Sequence, residues 1–599
     1  MSDERKIVTR RAFIKYAAMA AAASALAGCQ PQPTATPVPP TKAPAATAVP
    51  ATSAPAATAV PATKAPAATT GPAATPVGDK WAIYPDDDPR HWIVSKKIDP
   101  PKVYNNLVFT TNTMTSGNVY KEGESVDDNC QTRWLKKTMG VSMKSVWSGP
   151  QMAQYWPTAL ASGDLPEVIT NVPQAVYLQL LEAGVLADIK DIWERTASPL
   201  TKKKKQWPDA IWNQVLMDKG KMYGIQASGG AIHNGSDILW VRQDWLDQVK
   251  MKVPDTLDQM YEVGMAFVKA GLSKMGMWVG NRHYGSDGTS PVFGAFGMVP
   301  RVWRRGSDGK LKYSSTDPLI KEGLAVLAKW YKDGMIDKEF LASNDVGKYV
   351  GGNLAGMCFH PWWGPAFPLG TSMRNDPKAQ WQWAMIPAGP TGKRGRWGET
   401  YINLATCFKK GTDPLKIEAF INMLNWWYEI EENNESGNSA NVILFKDYDF
   451  ELKDGKAVAS KWNTRRYNCG GFAFEANRYP EFDLTAHRKL EELTKLDPKT
   501  LSPIQAWQTS DPKALMQAQS IKVAFEAAKY GIVNEMYWPT PTAVTEIEAA
   551  LFKLEDETFA NIITGKAPLS AFDQFAQDWV KQGGDKLTAA INAEDAKHK

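Results

Sequence analysis

The segment from Gln30 to Asp79 cannot contribute to a folded core. Its residues are mainly Ala, Pro, Thr and Val, and residues 45–55 are repeated almost unchanged as residues 56–66. A segment without aromatic residues has too little apolar surface to offset the entropy of ordering, so it is predicted to be a disordered linker. Every tryptophan lies at or beyond Trp81. Folding is therefore expected only in the residues that follow the linker.

An export signal is predicted before the linker. The first 29 residues place basic side chains ahead of an Ala-rich stretch that is shorter than the about 20 residues of a membrane-spanning helix. Residues 9–15, which contain Arg10 and Arg11, resemble the twin-arginine signal, and residues 26–29 resemble the bacterial lipoprotein cleavage box. These resemblances imply a signal peptide that ends at a lipidated Cys29. The expected location is extracytoplasmic and lipid-anchored to the cell membrane, at the bacterial cell surface or in the periplasm.

Charge and motif content remove several classes of function. Lys plus Arg number 69 and Asp plus Glu number 64, without a long basic run, so nucleic acid is not an expected partner. The six histidines lack the spacing of a zinc site. The acidic run 86–88 lacks the glycine and spaced oxygens of a calcium loop and is predicted to be solvated. With no phosphate-binding or nucleophile motif, we expect neither a metal nor a cofactor.

Four cysteines follow Cys29, namely Cys130, Cys358, Cys407 and Cys469. They are widely spaced and form no C-x-x-C pair, so neither a zinc knuckle nor a dense disulfide framework is indicated. Disulfide pairing stays open, but buried free thiols are expected because the predicted export route begins in a reducing cytoplasm.

Beyond Lys80, short apolar runs alternate with amphipathic helical patterns, which is typical of an α/β fold. Helices are predicted to begin after Thr256, Asp317 and Asp413, whose side chains are suited to capping a helix N-terminus. The predicted strands include 103–110, 141–147, 238–241 and 356–359, and an Asp308-Gly309 hairpin is expected between 302–303 and 311–313.

The folded part is predicted to consist of two lobes joined by several short crossings. It exceeds the usual size of one core, yet no second low-complexity linker interrupts it. The predicted boundaries are 80–235 for the first part of lobe 1, 236–395 for the first part of lobe 2, 396–440 for the return to lobe 1, and 441–599 for mainly lobe 2 with C-terminal helices.

Short motifs in a constant order resemble those of a known family. They are ASGDLPEV at 161–168, GVLADI at 184–189, GKMYGI at 220–225, LWVRQDWL at 239–246, PDTL at 254–257, GMID at 334–337, PWW at 361–363 and WVKQGGD at 579–585. Together they resemble extracellular solute-binding proteins of family 1, the sugar and oligosaccharide receptors of ABC importers, most of all the large lipoprotein receptors. The resemblance implies a two-lobed, type II periplasmic-binding-protein-like fold with mixed sheets flanked by helices and a ligand cleft between the lobes. It also implies a monomer that is not an enzyme and that works with permease and ATPase subunits.

Aromatic side chains suggest the ligand-binding face. Trp, at 24 residues, is more frequent than Phe or Tyr, and an indole plate can cover the C–H face of a sugar ring. Trp362 and Trp363 resemble the Pro-Trp segment with which maltose-type receptors stack a sugar, and Trp538 resembles a second stacking segment in those receptors. For each tryptophan, packing in a large core is the alternative.

Four further positions are candidates for ligand contact. Trp397 and Glu399 follow a Gly-rich turn at the predicted return crossing, where packing at the hinge is the alternative. Trp147 and Asn171 follow predicted first-lobe strands. Arg242 and Asp244 are predicted to form a structural ion pair rather than a catalytic pair.

The sequence leaves alternatives to an importer receptor open. A secreted polysaccharide hydrolase or lyase would need two poised carboxylates, and 64 acidic residues always allow a candidate pair. A ligand sensor for a membrane signalling protein would use the same two-lobed receptor. Length and aromatic content favour an oligosaccharide over a monosaccharide, although the ligand need not be a sugar.

Overall fold

The computed structural model describes residues 79–115, 120–149, 151–205, 217–218, 220–228, 237–283, 285, 287–342, 344–398, 404–437, 443–461, 484–538 and 540–597. Residues 80–599 form one structural unit. The predicted export and lipidation residues Arg10, Arg11 and Cys29 lie outside the described residues, as do Glu399 and Cys469.

The apolar runs form short strands. The strands of the described residues are β1 Leu107–Met114, β2 Val141–Gly149, β3 Val168–Pro173, β4 Met217–Asp218, β5 Lys221–Met222, β6 Ile225–Ser228, β7 Asp237–Arg242, β8 Trp303–Arg305, β9 Leu311–Tyr313, β10 Met357–Pro361, β11 Trp381–Ala384, β12 Arg396–Gly398, β13 Leu404–Phe408, β14 Phe450–Lys453, β15 Lys456–Ala459 and β16 Gly531–Val533.

The amphipathic segments form helices that cover these strands. The α-helices of the described residues are α1 Cys130–Met139, α2 Trp156–Ser162, α3 Gln174–Glu182, α4 Lys190–Thr196, α5 Pro199–Lys205, α6 Gln243–Val249, α7 Leu257–Lys269, α8 Ser290–Gly294, α9 Pro318–Asp333, α10 Leu369–Asn375, α11 Pro414–Glu432, α12 Thr485–Leu493, α13 Pro503–Ser510, α14 Pro512–Ala528, α15 Thr545–Ile563, α16 Ala571–Trp579 and α17 Asp585–Ala596.

The largest sheet has the strand order β2-β1-β3-β13-β6. Strands β1, β2 and β3 run parallel, whereas β13 runs antiparallel to both β3 and β6. A second sheet has the order β10-β7-β11 and is antiparallel throughout. The α/β class and the mixed sheets predicted from the sequence are confirmed.

Local sequence signals predicted the helix starts correctly. The Thr256 side chain accepts a hydrogen bond from the Gln259 amide, and Asp317 and Asp413 cap their helices in the same way. The first strand, in contrast, was predicted to begin at residue 103 and begins at Leu107. Asn106 has a φ of 49°, which interrupts the extended backbone immediately before the strand.

Two hydrophobic cores and a smaller cluster lie within this unit. The first core surrounds the largest sheet and is formed by residues of 84–225 and 405–457 together with Ile504. The second core is formed by residues of 239–359 and 544–591. The third cluster, which packs against the second sheet, contains Ile521 and Ala524 of α14.

Strand β7 separates the second core from the third cluster. Leu239 and Val241 point into the second core, whereas Ile238 and Trp240 point into the third cluster. Successive side chains of a strand lie on opposite faces, so the second sheet is buried on both sides. This burial explains why the sequence of β7 is a continuous apolar run instead of an alternating pattern.

The segment 441–599, predicted to lie mainly in lobe 2, also contributes to the first core. Ile443, Phe445 and Phe450 pack in that core. They reach it because the β14–β15 hairpin lies against α13, whose Ile504 belongs to the same core. The predicted lobe boundaries stay predictions.

The structure decides several predictions on single side chains. Cys130 and Cys358 are buried free thiols, as predicted, and Cys407 is also buried. Asp88 forms an ion pair with buried Arg90, and Asp86 binds Lys446, so the acidic run is not merely solvated.

The buried carboxyl of Asp449 makes stability pH-dependent. Burial raises its pKa to about 6, although the Phe445 amide donates a hydrogen bond to it at 2.7 Å. Between an unfolded pKa of about 3.9 and this value, the native state holds a proton that the unfolded chain has lost. Stability therefore falls as pH rises through this window, by up to about 3 kcal/mol.

Asp449→Asn is expected to remove this loss, because an amide accepts the Phe445 hydrogen bond without ionising. Calorimetry should give a higher Tm than wild type at pH 7.5 and a similar Tm at pH 4. Asp454→Asn, at the exposed turn between β14 and β15, is the matched control with a pH-independent effect. Parallel pH profiles for Asp449→Asn and wild type would contradict the prediction.

Candidate functional site

Five strand ends meet at one edge of the largest sheet. The carboxyl ends of β1, β2 and β3 lie there, together with Ser228 at the end of β6 and Leu404 at the start of β13. Ligands of open α/β sheets bind in the crevice outside the carboxyl ends of strands. This edge is therefore the first half of the candidate site.

The second sheet presents a corresponding edge. Asp237 at the start of β7 pairs with Pro361 at the end of β10, and β11 ends beside them at Ala384. Only residues 229–236 separate Ser228 from Asp237, so the two sheet edges lie within about 30 Å of each other. The second edge is the other half of the candidate site.

Residues 534–538 link the two cores directly. The Trp303 amide of β8 donates a hydrogen bond to the Asn534 side chain at 2.9 Å. The Gln174 side chain, at the start of α3, donates to the carbonyl of Tyr537. The link is thus anchored to the second core at one end and to the first core at the other.

The return crossing runs beside this link. Strands β12 and β16 are parallel, with Trp397 opposite Ile532 and Gly398 opposite Val533. A Cβ atom at Gly398 would lie 2.7 Å from the Val533 side chain, so only glycine permits this approach. The buried guanidinium of Arg396 donates to the Trp397 carbonyl at 2.8 Å.

Three predicted site residues belong to the first core and its sheet edge. Trp147 lies two residues before the end of β2 and is half-buried, and its ring packs 5.3 Å from Tyr155. Asn171 is buried near the end of β3 with a φ of 53°, a conformation that Asn tolerates better than most residues. Trp538 is half-buried and packs against the same core.

The other predicted site tryptophans pack in the third cluster or against the second core. Trp362 is only 7% exposed and packs in the third cluster, with its ring 5.1 Å from that of His487. Trp363 is half-buried against the same cluster. Trp397 is half-buried against the second core.

Gln174, Tyr537 and Tyr155 are site residues that the sequence interpretation did not identify. Burial, and secondarily Asp164, raise the pKa of Tyr155 to about 12, so its phenol stays protonated. This hydroxyl is buried and has no hydrogen-bond partner within the described residues. The signal for Gln174 was its position directly after β3, where a side chain reaches the sheet edge.

The arrangement suits binding of a neutral, hydroxyl-rich ligand. Half-buried indole rings on both sides offer flat apolar faces, while Gln174 places a polar side chain near the first edge. No group of three His, Cys, Asp or Glu side chains suited to a metal occurs among the described residues. Within the same ranges, no helix has both the length and the apolar character needed to cross a bilayer.

Comparison of the chain with known proteins gives several relatives but no matching family model. The Bacillus subtilis polygalacturonan/rhamnogalacturonan-binding protein YtcQ is 27% identical over 188 residues, 30% of this chain and 36% of YtcQ. The Streptococcus pneumoniae fructooligosaccharide ABC transporter substrate-binding protein FusA is 26% identical over 34% of this chain and 41% of FusA. The B. subtilis lipoprotein LipO is 23% identical over 78% of this chain and 88% of LipO.

The solved structure of FusA in complex with kestose superimposes on this chain with a TM-score of 0.54 and 17% identity. It covers 82% of this chain and 99% of FusA. The chain has a type II periplasmic-binding-protein-like fold. Sequence similarity and fold both confirm the resemblance to solute-binding proteins that the motifs predicted. The matched regions span less than half the length of YtcQ and of FusA.

Proposed function

We propose that the protein is an extracytoplasmic receptor that captures an oligosaccharide between two lobes and delivers it to the permease of an ABC importer. The link at residues 534–538 carries this proposal. Because it is anchored to both cores and bears Trp538, a ligand on this ring contacts the peptide that must bend as the lobes close. Ligand occupancy is thereby coupled to a shape that a transporter can recognise.

An oligosaccharide is the ligand class with the best support. YtcQ and FusA are named for polysaccharide-derived and fructooligosaccharide ligands, and both are binding proteins. Several half-buried indoles are distributed over both cores, which suits a ligand with more than one sugar ring. The protein is proposed to bind this ligand as a monomer, without a cofactor and without altering it.

A thermal-shift screen tests the ligand class. A panel of kestose, fructo-oligosaccharides and oligogalacturonides is added to purified protein lacking the signal peptide. A sugar at about 100 times its Kd should stabilise the protein by about 2.7 kcal/mol. Chromatography of the sugar then shows whether it has been altered. Binding without a product supports a receptor. Turnover of the sugar would instead favour the hydrolase or lyase alternative.

Lipid attachment at Cys29 is proposed to hold the receptor at the membrane. Cys29→Ser removes the thiol that would carry the lipid, so we expect the variant to leave the membrane fraction and to keep wild-type sugar affinity. Membrane fractionation with immunoblotting measures the first effect and calorimetry the second. Cys130→Ser, which changes a buried thiol, is the control and should stay with the membrane. Membrane retention of Cys29→Ser would contradict the anchor.

A further inference from the structure

His360, at the end of β10, is held by hydrogen bonds at both ring nitrogens. Its side chain is 1% exposed. Its Nδ1 faces Oδ1 of Asp287, and its Nε2 lies 3.0 Å from the carbonyl oxygen of Phe367. Two partners distant in the chain therefore enclose it.

These partners fix the orientation of the ring. The Phe367 carbonyl can only accept a hydrogen bond, so Nε2 donates to it. The Asp287 carboxyl holds the ring at Nδ1.

The same histidine closes the loop that presents the two adjacent tryptophans. We define residues 361–368 as the aromatic loop. His360 precedes this loop, and its Nε2 reaches the carbonyl of Phe367 near the other end. The Trp363 ring meets the imidazole edge-on at 4.3 Å, and a Cβ atom at Gly364 would lie 3.2 Å from the imidazole Cδ2.

The network continues to the crossing between the cores. The Asp287 amide donates to both carboxylate oxygens of Asp237, at 3.3 and 3.2 Å. Asp237 begins β7, and residues 229–236 separate it along the sequence from Ser228, the end of β6 in the first sheet. A chain of hydrogen bonds thus joins the entry of the second sheet to the aromatic loop.

We propose that His360, bonded to Asp287 and to the Phe367 carbonyl, is the positioning residue that holds the aromatic loop in the shape presenting Trp363 to the ligand. The effect on ligand binding rests on the proposed function, whereas the effect on the loop does not. Loss of either hydrogen bond leaves the loop held less firmly.

Other titratable groups lie around the hydrogen bonds of His360. Asp287 and Asp237 supply negative charge, and His487 approaches the loop through Trp362. Cys358 precedes His360 by two residues on β10, and burial, with the two aspartates, keeps its pKa well above the usual range, so its thiol stays neutral.

Nuclear magnetic resonance of the full chain with 15N-histidine tests the two ring hydrogen bonds. His360→Gln assigns the His360 signals by their disappearance. We expect Nε2 of His360 to show the shift of a protonated ring nitrogen, because it donates to the Phe367 carbonyl. Asp287→Asn keeps the φ of 65°, which Asn favours, but replaces the carboxyl at Nδ1, so it should change the Nδ1 shift. An unprotonated Nε2 in the wild type would overturn the proposal.

Hydrogen exchange measured by mass spectrometry tests the loop. Amides of residues 361–369 should exchange about tenfold faster in His360→Gln and in Asp287→Asn, as expected for loss of a charge-assisted hydrogen bond. His91→Gln, which alters a histidine of the N-terminal segment, is the control and should leave these amides unchanged. Unchanged exchange in both loop variants would refute the positioning role even if both fold normally.

Calorimetry with kestose tests the link to binding. We expect Asp287→Asn and His360→Gln each to weaken kestose binding about tenfold. Wild-type affinity in both variants would refute the effect of the loop on binding. If the wild type does not bind kestose, that result counts against the proposed ligand, whereas the exchange and resonance measurements still decide the role of His360.

Discussion

Trp538→Ala is expected to weaken oligosaccharide binding by about 2 kcal/mol, roughly thirtyfold in Kd. Its ring is half-buried against the first core on the link that joins both cores, so alanine removes both a stacking surface and part of the coupling to closure. Isothermal titration with the sugar that gives the largest thermal shift measures the loss. The variant should remain folded, because the neighbouring anchors are backbone and side-chain hydrogen bonds that do not use the indole.

Tyr261→Ala is the control for this experiment. Tyr261 is an aromatic residue on α7 whose hydroxyl binds Asp333 at 2.8 Å, away from both sheet edges. It should lower stability slightly and leave sugar affinity unchanged. If Trp538→Ala binds as tightly as Tyr261→Ala, then Trp538 is not a ligand contact.

Trp362 is a poorer site for the same test. The sequence resemblance made Trp362 a candidate for stacking on a sugar. Trp362 is buried in the third cluster, so the substitution is expected to cost about 3 to 5 kcal/mol of stability. A loss of sugar binding in that variant could follow from misfolding alone. Trp363, which is half-buried, is the residue of this pair to substitute.

Arg242→Met is expected to destabilise the second core by about 3 kcal/mol. Arg242 is fully buried at the end of β7. It forms a bidentate pair with Asp244 at 2.8 and 2.7 Å and a further bond to Asp376 at 2.8 Å. Its guanidinium also lies 4.3 Å from the Trp245 ring. Methionine fills similar volume but leaves both carboxylates without their cation.

Calorimetry and hydrogen exchange of β7, β10 and β11 measure this effect. Lys321→Met is the control, because the Lys321–Asp573 pair is solvent-exposed and is worth at most about 1 kcal/mol. The double variant Arg242→Met, Asp244→Asn should recover part of the loss by removing one uncompensated charge. A Tm change for Arg242→Met no larger than that for Lys321→Met would contradict a structural role of the pair.

Local signals in the sequence were enough to predict much of the fold. The caps at Thr256 and Asp317 are interactions between residues three or fewer positions apart, so spacing alone predicts them. The Arg242–Asp244 pair is local for the same reason. The start of β1 was missed because the positive φ of Asn106 depends on the surroundings of the chain, not on apolar periodicity.

The candidate site was predicted only in part, because burial of its residues depends on distant segments. Trp147 and Asn171 could be placed near strand ends from the strand pattern alone. The burial of Trp362 depends on Ile521 of α14, and that of His360 on Asp287. An indole can serve equally in a core or against a ligand, so composition could not separate these two roles.

Few backbone torsions of the link between the cores, residues 534–538, can change freely. Asn534 and Glu535 are bound to β8, and Tyr537 is held by Gln174. Any rotation of one core against the other must therefore be absorbed in the torsions around Met536. Trp538 lies two residues beyond this pivot. A substitution of Trp538 that alters sugar preference would also alter the free energy of lobe closure. Ligand specificity and the ease of closure would therefore have to evolve together.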